Sequence, residues 1–265
     1  MRKIKLLGGF VIKKKILMII SLFVMLISLS SCAKYGLTRT SGYFKYKVSE
    51  SGEILLFGLT KKGQQQETLV IPSEINGKKV STLGEPYYTY SGSTAWKCDF
   101  NSDNLKYLYY PSTITHTMLD DDYFYEDTPN ISKIYWGTKH IVGTIKLNEE
   151  TSDNCIVYVS EKNYEFNKLN VSNEKFPYIK VANVVYYLND DTKDTFFVDD
   201  CDGTIVNVVP PNPIREGYKF KGWYKEKECI NKWDFEKDII PSKEYDKEGN
   251  YIFKETAIYA GWEIK

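Results

Sequence analysis

Hydrophobic positions in this chain come in short bursts bounded by Gly, Pro, Asn and Ser, with almost no helical periodicity. Tyr43-Phe-Lys-Tyr-Lys-Val48 and Ile54-Leu-Leu-Phe57 flank Ser51-Gly52 and predict two strands around a tight turn. Glu67-Thr-Leu-Val-Ile-Pro72 follows, with Ile75 and Val80-Ser-Thr-Leu-Gly84 behind it. Similar units return at Asn104-Leu-Lys-Tyr-Leu-Tyr-Tyr-Pro111, at Asn130-Ile-Ser-Lys-Ile-Tyr-Trp-Gly137 and, more loosely, at Cys155-Ile-Val-Tyr-Val-Ser160. Aligning Pro72, Pro111, Gly137 and Ser160 gives spacings of 39, 26 and 23 residues. The last two fit a repeat period of roughly 20–29 residues, and the first needs an insertion, placed over Tyr87–Ser102. Ile156–Asn170 is expected to be the terminal strand and tail.

A second pattern begins after Asn183-Val-Val-Tyr-Tyr-Leu-Asn-Asp-Asp191, where polar residues separate two strand-like runs. Tyr218-Lys-Phe220-Lys alternates apolar and polar residues as a half-buried strand does, between Gly217 and Gly222. Trp223-Tyr224, Trp233-Asp-Phe235 and Tyr259-Ala-Gly-Trp262 add further large rings, which are expected to pack a small core.

Each early unit is one short strand with apolar residues that cannot be buried alone, so stacked neighbours must share a core. These units, above all Leu69-Val-Ile-Pro-Ser-Glu-Ile-Asn-Gly-Lys-Lys-Val80, resemble BspA-type leucine-rich repeats over about residues 43–180. Pro213-Ile-Arg-Glu-Gly-Tyr-Lys-Phe-Lys-Gly-Trp-Tyr224, then Trp233-Asp-Phe235, then Tyr259-Ala-Gly-Trp262, resemble the Listeria–Bacteroides repeat, the B-repeat of internalin-type surface proteins. That resemblance implies a small β-grasp-like domain, with Thr195-Phe-Phe-Val198 as its first strand and Asp202-Gly203 as a hairpin turn. The stretch between Gly203 and Pro213 is shorter than in the usual repeat.

The N-terminus carries Arg2, Lys3, Lys5 and Lys13–Lys15, then an apolar run from Ile16 to Leu29 that is short for a bilayer span. The run ends in Leu29-Ser-Ser-Cys32, which resembles a bacterial lipobox and implies cleavage before Cys32 and a lipid thioether on its sulfur. Two acyl chains would hold such a chain on the membrane. Removing residues 1–31 takes away six basic residues and no acidic one, leaving 29 Lys+Arg against 35 Asp+Glu, a net charge of −6. An acidic, aromatic-rich chain argues against nucleic acid as the partner.

Candidate chemistry adds little. His116 and His140 have no metal-ligand spacing with other histidines or cysteines, and no nucleophile, phosphate-loop or Cys-x-x-Cys pattern is present. The acidic run Asp120–Asp122 with Glu126-Asp127 reads as a solvated loop, with calcium binding as the alternative. Asp200-Cys-Asp-Gly203 fails the EF-hand pattern, with Val198 and Val209 at ligand positions. Cys98, Cys155, Cys201 and Cys229 allow three disulfide connectivities, with Cys98–Cys155 and Cys201–Cys229 each falling inside one module.

The expected architecture is therefore mainly β: residues 1–31 a lipoprotein signal, 32–42 a lipidated linker, 43–193 a short irregular leucine-rich-repeat solenoid, and 194–265 a B-repeat domain. The expected function is noncatalytic binding at the outer face of the cell membrane, to a host or neighbouring-cell protein or glycan. No cofactor, metal site or catalytic residue is expected. Tyrosine is enriched at recognition surfaces, and Tyr107, Tyr109, Tyr135 and Trp136 are the candidate binding surface. A solute-binding lipoprotein of a transporter and an envelope-structural or wall-associated role are the alternatives.

Overall fold

A computed structural model describes residues 36–88, 94–117, 128–138, 155–164 and 179–265. Its first part holds β1 (Arg39–Ser41), β2 (Phe44–Val48), β3 (Ile54–Leu59), β4 (Thr68–Val70), β5 (Glu74–Ile75), β6 (Lys78–Leu83), β7 (Glu85–Tyr88), β8 (Thr94–Lys97), β9 (Tyr107–Tyr110), β10 (His116–Thr117), β11 (Lys133–Trp136), β12 (Ile156–Val159) and β13 (Ile179–Val181). The second part holds β14 (Val184–Tyr187), β15 (Thr195–Asp199), β16 (Tyr218–Tyr224), β17 (Glu244–Tyr245), β18 (Tyr251–Ile252) and β19 (Thr256–Ile264). The chain is mainly β, with single short helical turns at Gly63–Gln65 and at residues 161–164 among the described residues.

Two sheets build the first part. One runs β1-β2-β3-β6-β10, and the other runs β4-β9-β11-β12-β13 with every neighbouring pair parallel. From β3 to β11 the chain alternates between the two sheets, apart from the short hairpins β5–β6 and β7–β8, so it advances as a coil. In the parallel sheet Thr68, Tyr107, Lys133 and Ile156 stand side by side, which reproduces the 39, 26 and 23 spacings of the sequence. The extra length of the first turn is taken up partly by hairpin β7–β8, which begins at Glu85 and overlaps the stretch Tyr87–Ser102 where an insertion was expected. The array does not end at β12, because Val157 pairs with Ile179 and β13 adds a fifth strand.

Why the repeat strands read as apolar throughout follows from what lies on either side of them. Leu69, Leu108, Tyr110, Ile134, Trp136, Val157 and Val159 point between the two sheets and join Ile54, Leu56, Val80 and Phe100 in one core. The alternate positions Val70, Tyr109, Tyr135 and Tyr158 point the opposite way, into a second core shared with the C-terminal part. A parallel sheet covered on both faces has no reason to alternate in polarity.

The C-terminal part is a four-stranded sheet in the order β15-β14-β19-β16, with β14 and β19 parallel and the outer pairs antiparallel. Gly222 holds φ +132 where β16 bulges against β19, a conformation only glycine adopts without strain. Trp223 is buried against Tyr186 and Phe196, and Trp233 and Trp262 are partly buried around the same core, in keeping with the packing role expected of these rings. Two expectations are corrected. The border expected at 193/194 falls between paired strands, since β14 belongs to this sheet. Asp202-Gly203 makes no β-hairpin, because among the described strands β15 pairs only with β14 and the chain forms no strand again until Tyr218. Asn207 instead bends back, its backbone and side-chain N–H groups donating to Asp199 at 2.8 Å each.

Strand β15 joins the two parts. Its odd residues face the coil: Thr195 donates to Ser160 Oγ at 3.0 Å, Phe197 stacks on Tyr109 at 5.6 Å, and Asp199 accepts from the Tyr109 hydroxyl at 3.3 Å. Phe196 points back into the C-terminal core, while its carbonyl accepts from Ser112 N–H at 2.7 Å. Rings Tyr109, Tyr135 and Tyr158 stack in register under this strand at 4.1 and 5.0 Å, with interplanar angles of 2° and 11°. Stacked pairs of this kind contribute about 0.5–1.5 kcal/mol each beyond their buried area.

Candidate functional site at the module junction

The residues singled out from the sequence are scattered. Tyr109, Tyr135 and Trp136 are buried, the two tyrosines beneath β15 and Trp136 inside the coil; Tyr107 is half-buried at the rim of the same seam. An open binding face at Tyr109, Tyr135 and Trp136 is thereby corrected, because the C-terminal sheet roofs the two tyrosines and Trp136 packs between the two sheets of the coil. Cys32, the acidic run Asp120–Asp122 and His140 lie outside the described residues. His116 is exposed on β10, its Nδ1 3.0 Å from the Thr115 hydroxyl. Among the described residues no group of three His, Cys, Asp or Glu side chains is placed to hold a metal ion.

None of the four described cysteines, Cys98, Cys155, Cys201 and Cys229, is joined to another by a disulfide, so neither Cys98–Cys155 nor Cys201–Cys229 is formed. Burial pushes the Cys155 thiol up to about 12, which leaves it protonated and unreactive at neutral pH. Burial likewise raises Cys201.

The seam is electrostatically unusual. Asp199 is fully buried yet receives N–H bonds from Asp200 at 2.9 Å and from Asn207, besides the Tyr109 hydroxyl. Burial raises its pKa above the usual carboxylate value, against the pull of the Asn207 and Asp200 bonds. Burial, then the charge of Asp199, holds the Tyr109 and Tyr135 phenols far above their ordinary range. Next along, Asp200 is bound by Lys243 Nζ at 2.7 and 2.9 Å. Desolvation works to lower the Lys243 pKa, but the bond and charge of Asp200 outweigh it and raise it.

An open cleft of 560 Å³ lies where this network reaches the surface. One wall comes from the end of the coil, with Tyr158, Tyr164 and β13; the other is the β17–β18 hairpin, with Tyr245, Tyr251 and Phe253. The hairpin is set by an Asx-type turn in which Asp246 Oδ1 accepts from Glu248 and Asn250 N–H at 3.0 and 2.7 Å. Lys243 Nζ sits 5.5 Å from the centre of the Tyr251 ring, between ring and carboxylate. A cleft of this volume with several rings and a few converging polar groups has the character of a ligand site. Sequence reasoning missed it; the available signal was Tyr245 on one flank of Asp246-Lys-Glu-Gly-Asn250 and Tyr251 and Phe253 on the other. A second open cleft, of 520 Å³, lies beside Tyr187, Glu255 and Tyr259, where the Tyr187 hydroxyl donates to Glu255 at 2.8 Å.

These features define a mainly β protein in which a coil of parallel strands is roofed by a small mixed sheet with a junction cleft. Residues 183–246 match the Listeria–Bacteroides repeat domain. That match begins at β14, as the strand pairing does. The chain is also similar to a protein of Evansella cellulosilytica that carries the provisional name Gly-rich membrane protein, 27% identical over 103 residues. The alignment covers 38% of this chain and 10% of that protein, so the chain spans about a tenth of the relative it matches. Among the described residues no helix is long and apolar enough to cross a membrane.

Proposed function

We propose that this chain is a noncatalytic binding protein of the outer cell surface, anchored through a lipid on Cys32, with a protein or glycan as its partner. In this reading the coil is a BspA-type leucine-rich-repeat solenoid, supported by the register of its parallel strands, and the C-terminal sheet is a β-grasp-like B-repeat. The observation that carries the reading is the aromatic cleft at the junction: two modules are held rigidly by a packed seam and leave Tyr245, Tyr251 and Phe253 facing the end of the coil across open space. Rigid aromatic walls suit recognition, since they offer large contact area at low entropic cost.

The test uses residues 33–265, screened against cells, matrix proteins and glycans. Saturable binding is expected, and the double variant Tyr251→Ala/Phe253→Ala should weaken it at least about tenfold, the loss of one good aromatic contact. No binding to any surface would end the proposal. Separately, Cys32→Ala in the full chain should move the protein from the membrane fraction to the soluble fraction; continued membrane retention would refute the lipid anchor.

A further inference from the structure

We propose that the junction cleft takes an uncharged pyranose-type glycan, with Tyr245 as the ring on which the sugar stacks and the Asp200–Lys243 pair as partners for its hydroxyls. This rests on the binding reading above and names the ligand class for the same site.

Charge narrows the choice first. The cleft is lined by two cations, Lys180 and Lys243, and two anions, Glu161 and Asp200. They cancel, so the site has no net field to draw in an anionic polymer or a cationic peptide. The rest of the predicted mature chain, at −6, repels acidic ligands further.

The placement of those charges narrows it again. The side chains of Asp200 and Lys243 are 8% and 18% exposed, the most withdrawn charged pair on the cleft wall. Lys243 spends two bonds on the carboxylate and keeps a third N–H, while the carboxylate keeps lone pairs beyond the two that Lys243 occupies. A donor and an acceptor thus stand side by side. A sugar hydroxyl both donates and accepts, so vicinal hydroxyls can satisfy such a pair as water leaves it. An apolar peptide side chain in the same place would desolvate the ion pair with nothing in return.

The rings supply the apolar half. Tyr245 is 57% exposed at the rim, 5.8 Å from Tyr251 and tilted 47° to it, so its ring remains open to a ligand. The C–H face of a pyranose is a flat apolar surface that fits such a ring. The main alternative, an extended peptide adding a strand to the coil, meets a poor edge. β13 is only three residues long and carries Lys180 at its centre, the means by which edge strands discourage pairing.

The test is an array of neutral, acidic and sulfated glycans probed with residues 33–265, followed by titration of any neutral oligosaccharide retained. Binding should be indifferent to salt between about 0.05 and 0.5 M, because no net charge is neutralised. Tyr245→Ala should weaken it about tenfold and Tyr245→Trp should preserve it. Lys227→Ala, in the second cleft, should leave it unchanged. Because Tyr245 is exposed, its replacement is not expected to unfold the chain, and an unchanged melting curve will check that.

Retention of acidic glycans alone with steep salt dependence, or of proteins alone, would overturn the ligand class and leave the binding function standing. Neutral-glycan binding that Tyr245→Ala does not weaken would overturn the site. Silence against every probe would remove both.

Discussion

Gly137→Ala is expected to open the seam between coil and C-terminal sheet. A Cβ at this position would sit 2.3 Å from the Phe196 carbonyl oxygen and 2.7 Å from that of Tyr110. Both obstacles are backbone, so no rotamer change relieves them, and either β15 or β9 must move. Overpacking of this kind costs typically about 1–3 kcal/mol, and the upper end applies where backbone must shift. For a chain of this size that corresponds to a fall in Tm of roughly 6–12 °C. The Ser112 bond to Phe196 and the Phe197–Tyr109 stack lie within the displaced region, so proteolysis near residues 188–194 should accelerate as well. A Tm within about 2 °C of the parent would mean that the modules do not depend on this contact.

The second large effect is alkaline. Tyr109, Tyr135, Tyr158 and Tyr186 are buried, and burial raises each phenol well above its ordinary value. A group whose folded pKa is raised contributes stability that is fully present below its unfolded pKa, about 10 for tyrosine, and is lost as pH rises toward the folded value. Each such phenol can remove up to about 1.36 kcal/mol per pH unit above pH 10, and four together up to about 5. The buried tyrosines should therefore ionise in one cooperative step as circular dichroism collapses. Ionisation of Tyr109, Tyr135 and Tyr158 with the fold intact would contradict the seam. Asp199 works in the same direction at the acid end: its raised pKa means that its contribution is largest below about pH 4 and declines as pH rises through the folded value. Acidification should not undock the modules through this residue.

The repeat strands could be read from the sequence because their period is physical. A coil must bring equivalent residues side by side, and Thr68, Tyr107, Lys133 and Ile156 stand at the spacing the chain dictates. What covers those strands could not be read. Period-two alternation places Tyr109 and Tyr135 on the face opposite Leu108 and Ile134, yet a tyrosine beneath a docked sheet and one facing a ligand look alike in a sequence. The clue was the near-continuous apolar run in β9, β11 and β12, which signals two covered faces. Asp202-Gly203 misled for a related reason: the dipeptide favours a tight hairpin, but the Asn207 bonds to Asp199 coil the following loop instead. The cleft escaped because its walls lie far apart in the chain, from Tyr158 to Phe253, and meet only through the seam.

Strand β19 has a consequence for the order in which the protein is made. It lies between β14 and β16, pairing with both, so the roof cannot close until the last of the described strands has been synthesised. At about 5–20 residues per second, the coil emerges several seconds earlier with its tyrosine ladder bare. During that interval the face later hidden beneath β15 is open and leaves Tyr109, Tyr135 and Tyr158 uncovered. A message truncated before Thr256 would leave it so permanently, giving a coil prone to associate with its own copies.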